Sequence, residues 1–449
     1  MFAPFDDLRT FVRGLESKGA LFKVTEALSP KFEIAAALRY LNKHTDHPVL
    51  FDKIVGYDIP VIGNLFQSYA SISAAFGIQD GKKALETYRQ QSGRRVKPEM
   101  HRSGPVMEAV TEGQVDILKM MPVLTHHEND AGPYFSSAVT IAKDPESGIR
   151  GMGIHRIQVK EKNKLGIFLG TRPLSRFLEL AELKKTPLEI AIVLGMDPLT
   201  FLSSITYAPE GIDKFDLAGG LRGRPVELTK CKTVDLEVPR HAEFVLEGKI
   251  LPGVRETEGP FGESGGAYLT VQNPVAMINC ICQRKQPMYH ALMPFNKENG
   301  IISNIVWEAT QLDAIRKAIP LVKKMHLLGS VGEIAAVQIE KKADDDGRKT
   351  IQKLFDLLPR VKGIVVVDTD IDVHDPDDLV WAVFTRFQVS RDLVTVSGVP
   401  GSVLDPSIED GLTSKWGLDA TRPGNETEKF KRIAPPDWAM RKVTALLGE

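Results

Sequence analysis

Two glutamates five residues apart, Glu258 and Glu263, lie in the run EGPFGESGGAY and have the spacing to do acid–base chemistry. Proline fixes one backbone angle and glycine permits positive φ values, so a short turn there can aim both carboxyl groups at one point. Two neighbouring carboxylates cannot both ionise cheaply in a dry site, so one of them holds a proton near neutral pH. The pair predicts a general acid that protonates carbon. From spacing alone, a surface turn with two solvated acids remains the alternative.

The composition of the chain excludes several broad classes of protein. Its 449 residues suggest two to four domains, and 57 basic against 58 acidic residues give a formal net charge of −1. A nucleic-acid or anionic-membrane binder needs a basic excess or patch, so we expect neither partner. A small ligand bound in a locally charged pocket fits better.

Compartment signals favour the cytoplasm. The first residues, MFAPFDDLRTFV, lack a basic region followed by an apolar one, and no run of 18 apolar residues occurs, so we expect neither export nor membrane spanning. Three cysteines, Cys231, Cys280 and Cys282, form no disulfide framework. Cys280 and Cys282 are one residue apart in a strand-like run, so they are expected on the same face. A reducing environment follows.

Hydrophobic periodicity predicts an α+β protein of three parts. Residues 1–112 alternate amphipathic helices with short apolar strands, which predicts an N-terminal α/β module. Residues 113–309 contain many short strand-like runs separated by turn residues, which favours an antiparallel barrel or sandwich. Residues 310–449 return to α/β alternation, with a buried strand over GIVVVD and a terminal helix over DWAMRKVTALLGE that could pack on another subunit.

Common cofactor and metal motifs are missing from the sequence. There is no GxGxxG opening a helix, no Walker-type loop, no HExxH and no paired CxxC. His126 and His127 are adjacent in LTHHENDAGPY, but neighbouring side chains point apart in extended chain. A polar loop is therefore favoured over a metal site there.

Several segments, taken in order, resemble one family over nearly the whole chain. They are DAGPYFSSAVTIAKDPESGIRGMGIHRIQVKEKNKLGIF, FDLAGGLRGRPVELTKCKTVDLEVP with AEFVLEG, EGPFGESGGAY, and VVDTDIDVHDPDDLVWAVFTRFQVSRDL with DPS and TSKWGLDAT. Together they are similar to the UbiD family of reversible (de)carboxylases, which use prenylated flavin mononucleotide (prenylated FMN). The resemblance implies a split β-barrel flavin-binding domain over residues 113–309. It also implies that residues 310–449 form a C-terminal α/β oligomerisation domain.

The resemblance implies catalytic and cofactor-binding residues. A glutamate–arginine–glutamate set maps onto Arg156, Glu258 and Glu263: Glu258 as the proton shuttle, Arg156 as the anchor for the substrate carboxylate, and Glu263 as the group that poises both. A planar cation can hold a carboxylate bidentately, and a protonated acid can deliver H⁺ to carbon, which suits these roles. The implied flavin-binding positions are Gly151, Met152, Gly153, Ile154, His155, Arg156, Thr171, Arg172 and Lys214.

This chain departs from the family pattern at the metal. Family members hold Mn²⁺ and a nearby K⁺ against the flavin phosphate with an asparagine, a histidine and a glutamate, where this chain has Gly151, Arg172 and Lys214. None of the three is a side-chain ligand for a hard cation. Losing both metals and one glutamate removes a net +2, which the two basic residues restore. We therefore expect Arg172 and Lys214 to neutralise the phosphate without metal; a degenerate, non-catalytic partner subunit is the competing interpretation.

The predicted function is non-oxidative decarboxylation of an aromatic, heteroaromatic or α,β-unsaturated carboxylic acid with prenylated FMN. A flavin prenyltransferase would supply the cofactor, and a homodimer or higher homo-oligomer is expected. Carboxylation of a phenolic or hydrocarbon ring, alone or as a complex subunit, and a cofactor-free scaffold remain alternatives. His290, in the segment after the barrel, is expected either to contact substrate or to pack at a domain junction.

Overall fold

The protein is described by a computed structural model over residues 4–209, 211–329, 333–424, 428–430 and 432–447. The chain divides into two compact units. The first comprises Met1–Asp313, Leu327–Gly332 and Ser402–Ile408, and the second comprises Ala314–His326, Glu333–Gly401 and Glu409–Glu449. Among the described residues, no helix combines the length and apolar character needed to cross a membrane.

The described residues form helices α1–α13 and strands β1–β21. The helices are α1 Leu8–Glu16, α2 Glu33–Leu41, α3 Tyr69–Ala75, α4 Ala84–Ser92, α5 Ile117–Met120, α6 Leu174–Leu183, α7 Pro198–Ser204, α8 Lys214–Arg222, α9 Lys297–Ala318, α10 Asp346–Leu357, α11 Pro376–Arg386, α12 Val389–Asp392 and α13 Asp437–Leu447. Short 3₁₀ helices lie at Gly81–Lys83, Pro105–Met107 and Glu428–Phe430. The strands are β1 Phe22–Val24, β2 Val49–Phe51, β3 Val61–Gly63, β4 Glu99–His101, β5 Ala109–Glu112, β6 Tyr134–Phe135, β7 Val139–Lys143, β8 Arg150–Ile154, β9 Ile157–Val159, β10 Lys164–Ile167, β11 Leu188–Leu194, β12 Glu227–Lys230, β13 Glu237–Pro239, β14 Phe244–Gly262, β15 Tyr268–Gln283, β16 Tyr289–His290, β17 Val322–Leu328, β18 Ile334–Ile339, β19 Gly363–Asp368, β20 Leu393–Pro400 and β21 Leu412–Ala420.

The N-terminal region is built from amphipathic helices and a small sheet, as its periodicity predicts. Helix α1 begins at a capping box, in which Asp7 accepts from the Thr10 N–H and the Thr10 hydroxyl reaches back to the Asp7 N–H. The helix buries one stripe of apolar residues: Leu8, Phe11, Val12 and Leu15. The sheet has the order β1-β2-β3-β16, so its last strand comes from much later in the chain.

A curled, largely antiparallel sheet dominates the first unit and confirms the predicted β-rich middle. Its order is β6-β9-β10-β15-β14-β11-β7-β8, with β5 also paired to β15. Strand β11 shows how both faces are covered. Ala191 and Val193 point into one hydrophobic cluster, whereas Ile190, Ile192 and Leu194 point into the other.

The prediction that Glu258 lies in a turn is wrong, because the turn begins further along the chain. Glu258–Gly262 belongs to strand β14, and the hairpin turn follows, where the Glu263 N–H donates to Ala267 O at 2.9 Å. The β14–β15 register shifts between Glu258 and Phe261. A bulge of this kind lets a strand contain a Gly-Pro pair, because the proline lacks an N–H for the ladder.

The second unit is an α/β sheet, as the alternation of its elements predicts. The order is β17-β18-β19-β21-β20; β18, β19 and β21 run parallel, and β20 is antiparallel to β21. Every residue of β19 is buried, which matches the prediction from GIVVVD. The predicted terminal helix is α13, none of whose residues is buried. The α+β class predicted from sequence is thus confirmed.

Candidate active site

The bulge in β14 sets the direction of the Glu258 side chain. Gly259 has φ +104°, and a Cβ atom built on it would lie only 2.5 Å from the carbonyl oxygen of Leu269. Only glycine fits there without strain. The bulge therefore needs this glycine, and it presents Glu258 to the arginine that joins β8 to β9.

The structure brings together all three residues that the sequence nominates for catalysis. Glu258 Oε2 accepts from Arg156 Nη2 at 2.6 Å and Nε at 3.1 Å, and Arg156 Nη1 donates to Glu263 Oε1. Asn273 Nδ2, on the neighbouring strand β15, donates to the same Oε2 atom at 2.8 Å. The Glu258 side chain is fully buried and that of Arg156 is 6% exposed. One buried cation thus pairs with two acids, of which Glu258 is fully buried and Glu263 is 12% exposed.

The two oxygens of Glu258 have different environments. Oε2 receives three hydrogen bonds, whereas Oε1 is buried without a partner among the described residues. The hydroxyl of Tyr134 is likewise buried and makes no hydrogen bond of ordinary geometry among the described residues, but it lies near Glu258: burial, followed by the negative charge of that carboxylate, raises its pKa. Oε1 is therefore the oxygen free to carry and deliver a proton.

Aromatic rings enclose the Arg156 guanidinium. Its Cζ lies 4.6 Å from the centre of the Phe168 ring and 5.4 Å from that of Phe261. The Phe261 ring in turn lies 4.2 Å from that of Tyr134. Cation–π attraction is stronger when water is excluded, so these rings both retain the arginine and keep the site dry.

The loop containing His126 and His127 supports the catalytic strand. Asp130 Oδ1 accepts from the Gly262 N–H at 2.9 Å. Its Oδ2 accepts from the backbone N–H groups of His126 and His127, at 3.1 and 2.8 Å. The side chain of His126 is buried within this polar loop, and burial lowers its pKa to about 4. Polar pairing inside the protein, rather than solvation, holds this loop.

The residues at the predicted flavin-binding strand form β8 and its exit. A Cβ atom at Gly151 would lie 2.6 Å from Pro173 Cγ and 2.7 Å from Phe177 Cε2, so a longer ligating side chain has no room there. Met152 is buried, and His155 is buried with neither ring nitrogen partnered among the described residues. Burial, followed by the charge of Lys214, lowers the His155 pKa to about 4.

Lys214 is a buried cation without a counter-ion. It is the first residue of α8, only 5% exposed, and its Nζ donates to Ser204 O at 2.7 Å. No carboxylate of the described residues pairs with it, and burial lowers its pKa to about 7. The preceding Asp213 caps the helix and is held by Arg150 Nε at 2.7 Å. An anion at this helix N-terminus would find both the dipole and an ammonium group whose hydrogen-bond partner is a neutral carbonyl.

The remaining predicted site residues, Thr171, Arg172 and His290, do not join the buried residues described above. Thr171 and Arg172 are exposed, so of the two predicted cations only Lys214 is buried. His290, on β16, is buried, and its ring lies 4.8 Å from that of Phe201. Among the described residues, no hydrogen bond or ring contact links His290 to the Arg156 cluster.

The sequence patterns do not predict three residues that contact the site: Tyr134, Asn273 and Asp130. Tyr134 and Asp130 stand in a segment that contributed to the family resemblance, but nothing in their spacing points to Glu258. Asn273 lies opposite Glu256 in the β14–β15 register. Only the pairing of the two strands brings its amide to Glu258.

Three sequence profiles of one family match the chain in succession. The N-terminal, Rift-related and C-terminal domains of the 3-octaprenyl-4-hydroxybenzoate carboxy-lyase (UbiD) profile match residues 12–90, 98–297 and 302–420. The chain is also 35% identical over 420 residues to an anhydromevalonate phosphate decarboxylase of Methanothermobacter thermautotrophicus. That match covers 92% of this chain and 96% of the relative.

Solved structures agree with the profiles. The UbiD-class enzyme HmfF of Pelotomaculum thermopropionicum, in complex with FMN, is 39% identical, with a TM-score of 0.91 over 98% of this chain and 99% of that one. An evolved dimeric form of HmfF, in complex with prenylated FMN, is 37% identical, with a TM-score of 0.86 over 97% of this chain and 98% of that one. Both matches cover nearly the whole chain.

Proposed function

The chain belongs to the UbiD family of decarboxylases, and on that premise we propose that it releases CO₂ from an aromatic, heteroaromatic or α,β-unsaturated carboxylic acid, using prenylated FMN. Support comes from the cofactors named for the two HmfF structures and from the decarboxylase activity named for the archaeal relative. That relative's name makes a phosphorylated unsaturated acid one candidate substrate. The division into domains at residues 112 and 309 is part of this proposal.

The observation that carries the proposal is the unequal pairing of Glu258. Arg156 and Asn273 occupy Oε2, so a proton on this carboxyl group resides on Oε1, the unpartnered oxygen. Prenylated FMN, when bound, supplies the electron sink for the carbon that loses CO₂. Arg156 orients the substrate carboxylate, and the surrounding rings exclude water from the leaving group. After CO₂ leaves, Glu258 gives its proton to the vacated carbon, and Glu263 holds Arg156 in place.

The residues around Lys214 fit the phosphate of such a cofactor. A buried ammonium group without an anion, at a helix N-terminus, is matched to a phosphate rather than to a cation. The filled space at Gly151 and the basic character of positions 172 and 214 supply no ligand for a hard divalent ion. We therefore extend the proposal to phosphate neutralisation by Lys214, with Arg172 reaching in from its exposed position, and without Mn²⁺ or K⁺. Met152, Gly153, Ile154 and Thr171 complete the proposed flavin contacts, and His290 stays a proposed substrate contact.

A proton-transfer variant tests the assignment of Glu258. Glu258→Gln retains the shape and the acceptor atom facing Arg156 but removes the transferable proton, so the flavin-loaded variant should lose at least about 100-fold in turnover. Glu256→Gln, two residues away on the same strand and paired with Lys160 at 3.0 Å, is the matched control and should keep activity.

The measurement is CO₂ release from a panel of candidate acids, with deuterium incorporation into product in D₂O. Protein produced together with a flavin prenyltransferase is used throughout. Wild-type-like turnover by Glu258→Gln would overturn the proton-donor role. Failure of the wild-type protein to bind any flavin under these conditions would instead support the scaffold alternative.

A further inference from the structure

Two of the three cysteines of the chain lie beside one buried carboxylate, Glu247. Cys280 and Cys282 lie on the same face of β15 with their Sγ atoms 3.7 Å apart, as their spacing predicts. Cys282 Sγ is 3.6 Å from Glu247 Oε1. Cys231, just after β12, packs against the same core cluster but does not belong to the group whose donor atoms lie within 4.8 Å of one another. Three potential metal ligands therefore converge at one point, outside the catalytic cluster.

Glu247 differs from the other fully buried glutamates beside it in the chain. Glu243 accepts from Arg9 Nε at 2.8 Å and Nη2 at 2.7 Å, and Glu258 is held by Arg156. Glu247 is equally buried, but in the described part of the chain no basic side chain lies within ion-pair distance of it. A buried carboxylate without a cation is costly, so this position lacks a positive charge.

The segment after β12 fixes the orientation of the Glu247 carboxylate. Its Oε2 accepts from the Thr233 N–H at 2.6 Å and the Thr233 hydroxyl at 2.8 Å, while the Lys232 N–H lies 2.9 Å from both oxygens. Oε2 is therefore saturated. Oε1 accepts only from the Lys232 N–H, which it shares with Oε2, and faces Cys282 Sγ. It is therefore able to bind an ion.

The spacing of the donor atoms matches a tetrahedral zinc site. A Zn–S bond of about 2.3 Å places neighbouring sulfur ligands about 3.8 Å apart, close to the 3.7 Å between Cys280 and Cys282. The donor atoms of Glu247, Cys280 and Cys282 all lie within 4.8 Å of one another. A sulfur-rich set with one carboxylate oxygen selects Zn²⁺ over Mg²⁺, Ca²⁺ or Mn²⁺.

We propose that Cys280, Cys282 and Glu247 bind one Zn²⁺ ion, with a water molecule in the fourth tetrahedral position. The ion joins the two strands of the β14–β15 hairpin, in which Glu247 lies opposite Cys280, and supplies the cation that Glu247 lacks. Along β14, Glu247 and Glu258 are eleven residues apart, a path on the order of 35 Å, so the zinc site is separate from the acid–base chemistry.

Metal titration of the full-length, reduced protein tests this site. After metal removal with a chelator, the wild-type protein should bind one Zn²⁺ per chain, and Co²⁺ in its place should give tetrahedral d–d bands with thiolate charge transfer. Cys280→Ser and Cys282→Ser should each weaken zinc binding by about 100-fold or more. His44→Gln changes an exposed histidine outside the cluster and should leave the affinity unchanged.

A second measurement uses only the wild-type protein, so its result does not depend on whether the cysteine variants fold. Zn²⁺ should protect the Cys280 and Cys282 thiols of the wild-type protein from alkylation by iodoacetamide, detected by mass spectrometry, and should raise Tm, whereas Mg²⁺ should do neither. An octahedral cobalt spectrum, zinc binding that survives both cysteine substitutions, or the two thiols alkylated equally fast with and without Zn²⁺ would overturn the proposal.

Discussion

At the scale of single residues, the unequal pairing of the two oxygens of Glu258 defines which of them can pass a proton to substrate. Arg156 and Asn273 converge on Oε2, and Oε1 has no hydrogen-bond partner among the described residues. The same pairing keeps the side chain in one orientation, so the proton has a defined direction of delivery.

Lys214 carries a prediction about cofactor retention. Lys214→Ala and Arg172→Ala should each weaken flavin binding, because each removes a charge-assisted hydrogen bond worth roughly 1.5–3 kcal/mol. The flavin-to-protein ratio after gel filtration measures the effect, and Lys162→Ala, at an exposed lysine, should match the wild-type protein. Elemental analysis of the loaded wild-type protein completes the test, since stoichiometric manganese would contradict the metal-free arrangement.

Lys214 also predicts a pH dependence of stability in the flavin-free protein. Burial lowers its folded-state pKa to about 7 from the ordinary 10.5, so between these values the unfolded chain holds a proton that the folded chain has lost. The free energy of unfolding therefore gains a contribution that rises with pH from about 7 to about 10. Urea titrations at pH 7, 8 and 9 should show this rise in the wild-type protein and in Lys162→Met, but a smaller one in Lys214→Met. Equal slopes in all three proteins would refute the assignment.

At the scale of elements, the long hairpin β14–β15 is the part that organises the site. It carries both proposed acids and Asn273, and its bulge at Gly259 turns Glu258 toward Arg156. Asp130 fastens the far end of β14 by accepting from the Gly262 N–H. A strand thus provides the rigidity that a loop bearing the same residues would lack.

A pair of glycines on β14 tests that role. Gly259→Ala should lower both stability and kcat, because φ is +104° and the new Cβ would meet Leu269 O at 2.5 Å. Gly253 has φ +70° with no atom within 4 Å of a built Cβ, so Gly253→Ala should cost about 1 kcal/mol and spare kcat. Thermal unfolding and turnover of the loaded proteins distinguish the two. Equal kcat values in both variants would show that the bulge does not position Glu258.

At the scale of the whole molecule, the terminal helix α13 is the clearest surface for self-association. None of its residues is buried, and Trp438 and Leu446 are 67% and 73% exposed. Apolar side chains repeated along one helix and left uncovered are typical of an interface. The predicted homo-oligomer accounts for such a helix, since a second copy of this chain would bury it.

Substitutions on α13 test the oligomeric state. Trp438→Ser with Leu446→Ser should shift the molar mass measured by light scattering toward the monomer, because the apolar contact is removed. Arg441→Ser, at an exposed polar position of the same helix, is the control and should leave the mass unchanged. A monomeric wild-type protein, or an oligomer untouched by the double substitution, would refute this role.

The sequence alone determined the α+β class, the amphipathic helix at Leu8–Glu16, the buried strand at Gly363–Asp368 and the three residues of the proposed catalytic cluster. Local periodicity fixes which face of an element is buried, and a run of matching motifs fixes the family. These signals survive because each depends on residues near one another in the chain.

Only the tertiary structure decided how the partners meet. In the structure Glu258 lies in a bulged strand rather than in the expected turn, and Asn273 and Tyr134 lie beside it. Lys214 is buried, whereas Arg172 is exposed. The fold also places Cys280 and Cys282 beside Glu247. The physical reason is that strand register, bulges and burial depend on pairing between distant segments, and no local pattern in the sequence encodes those pairings.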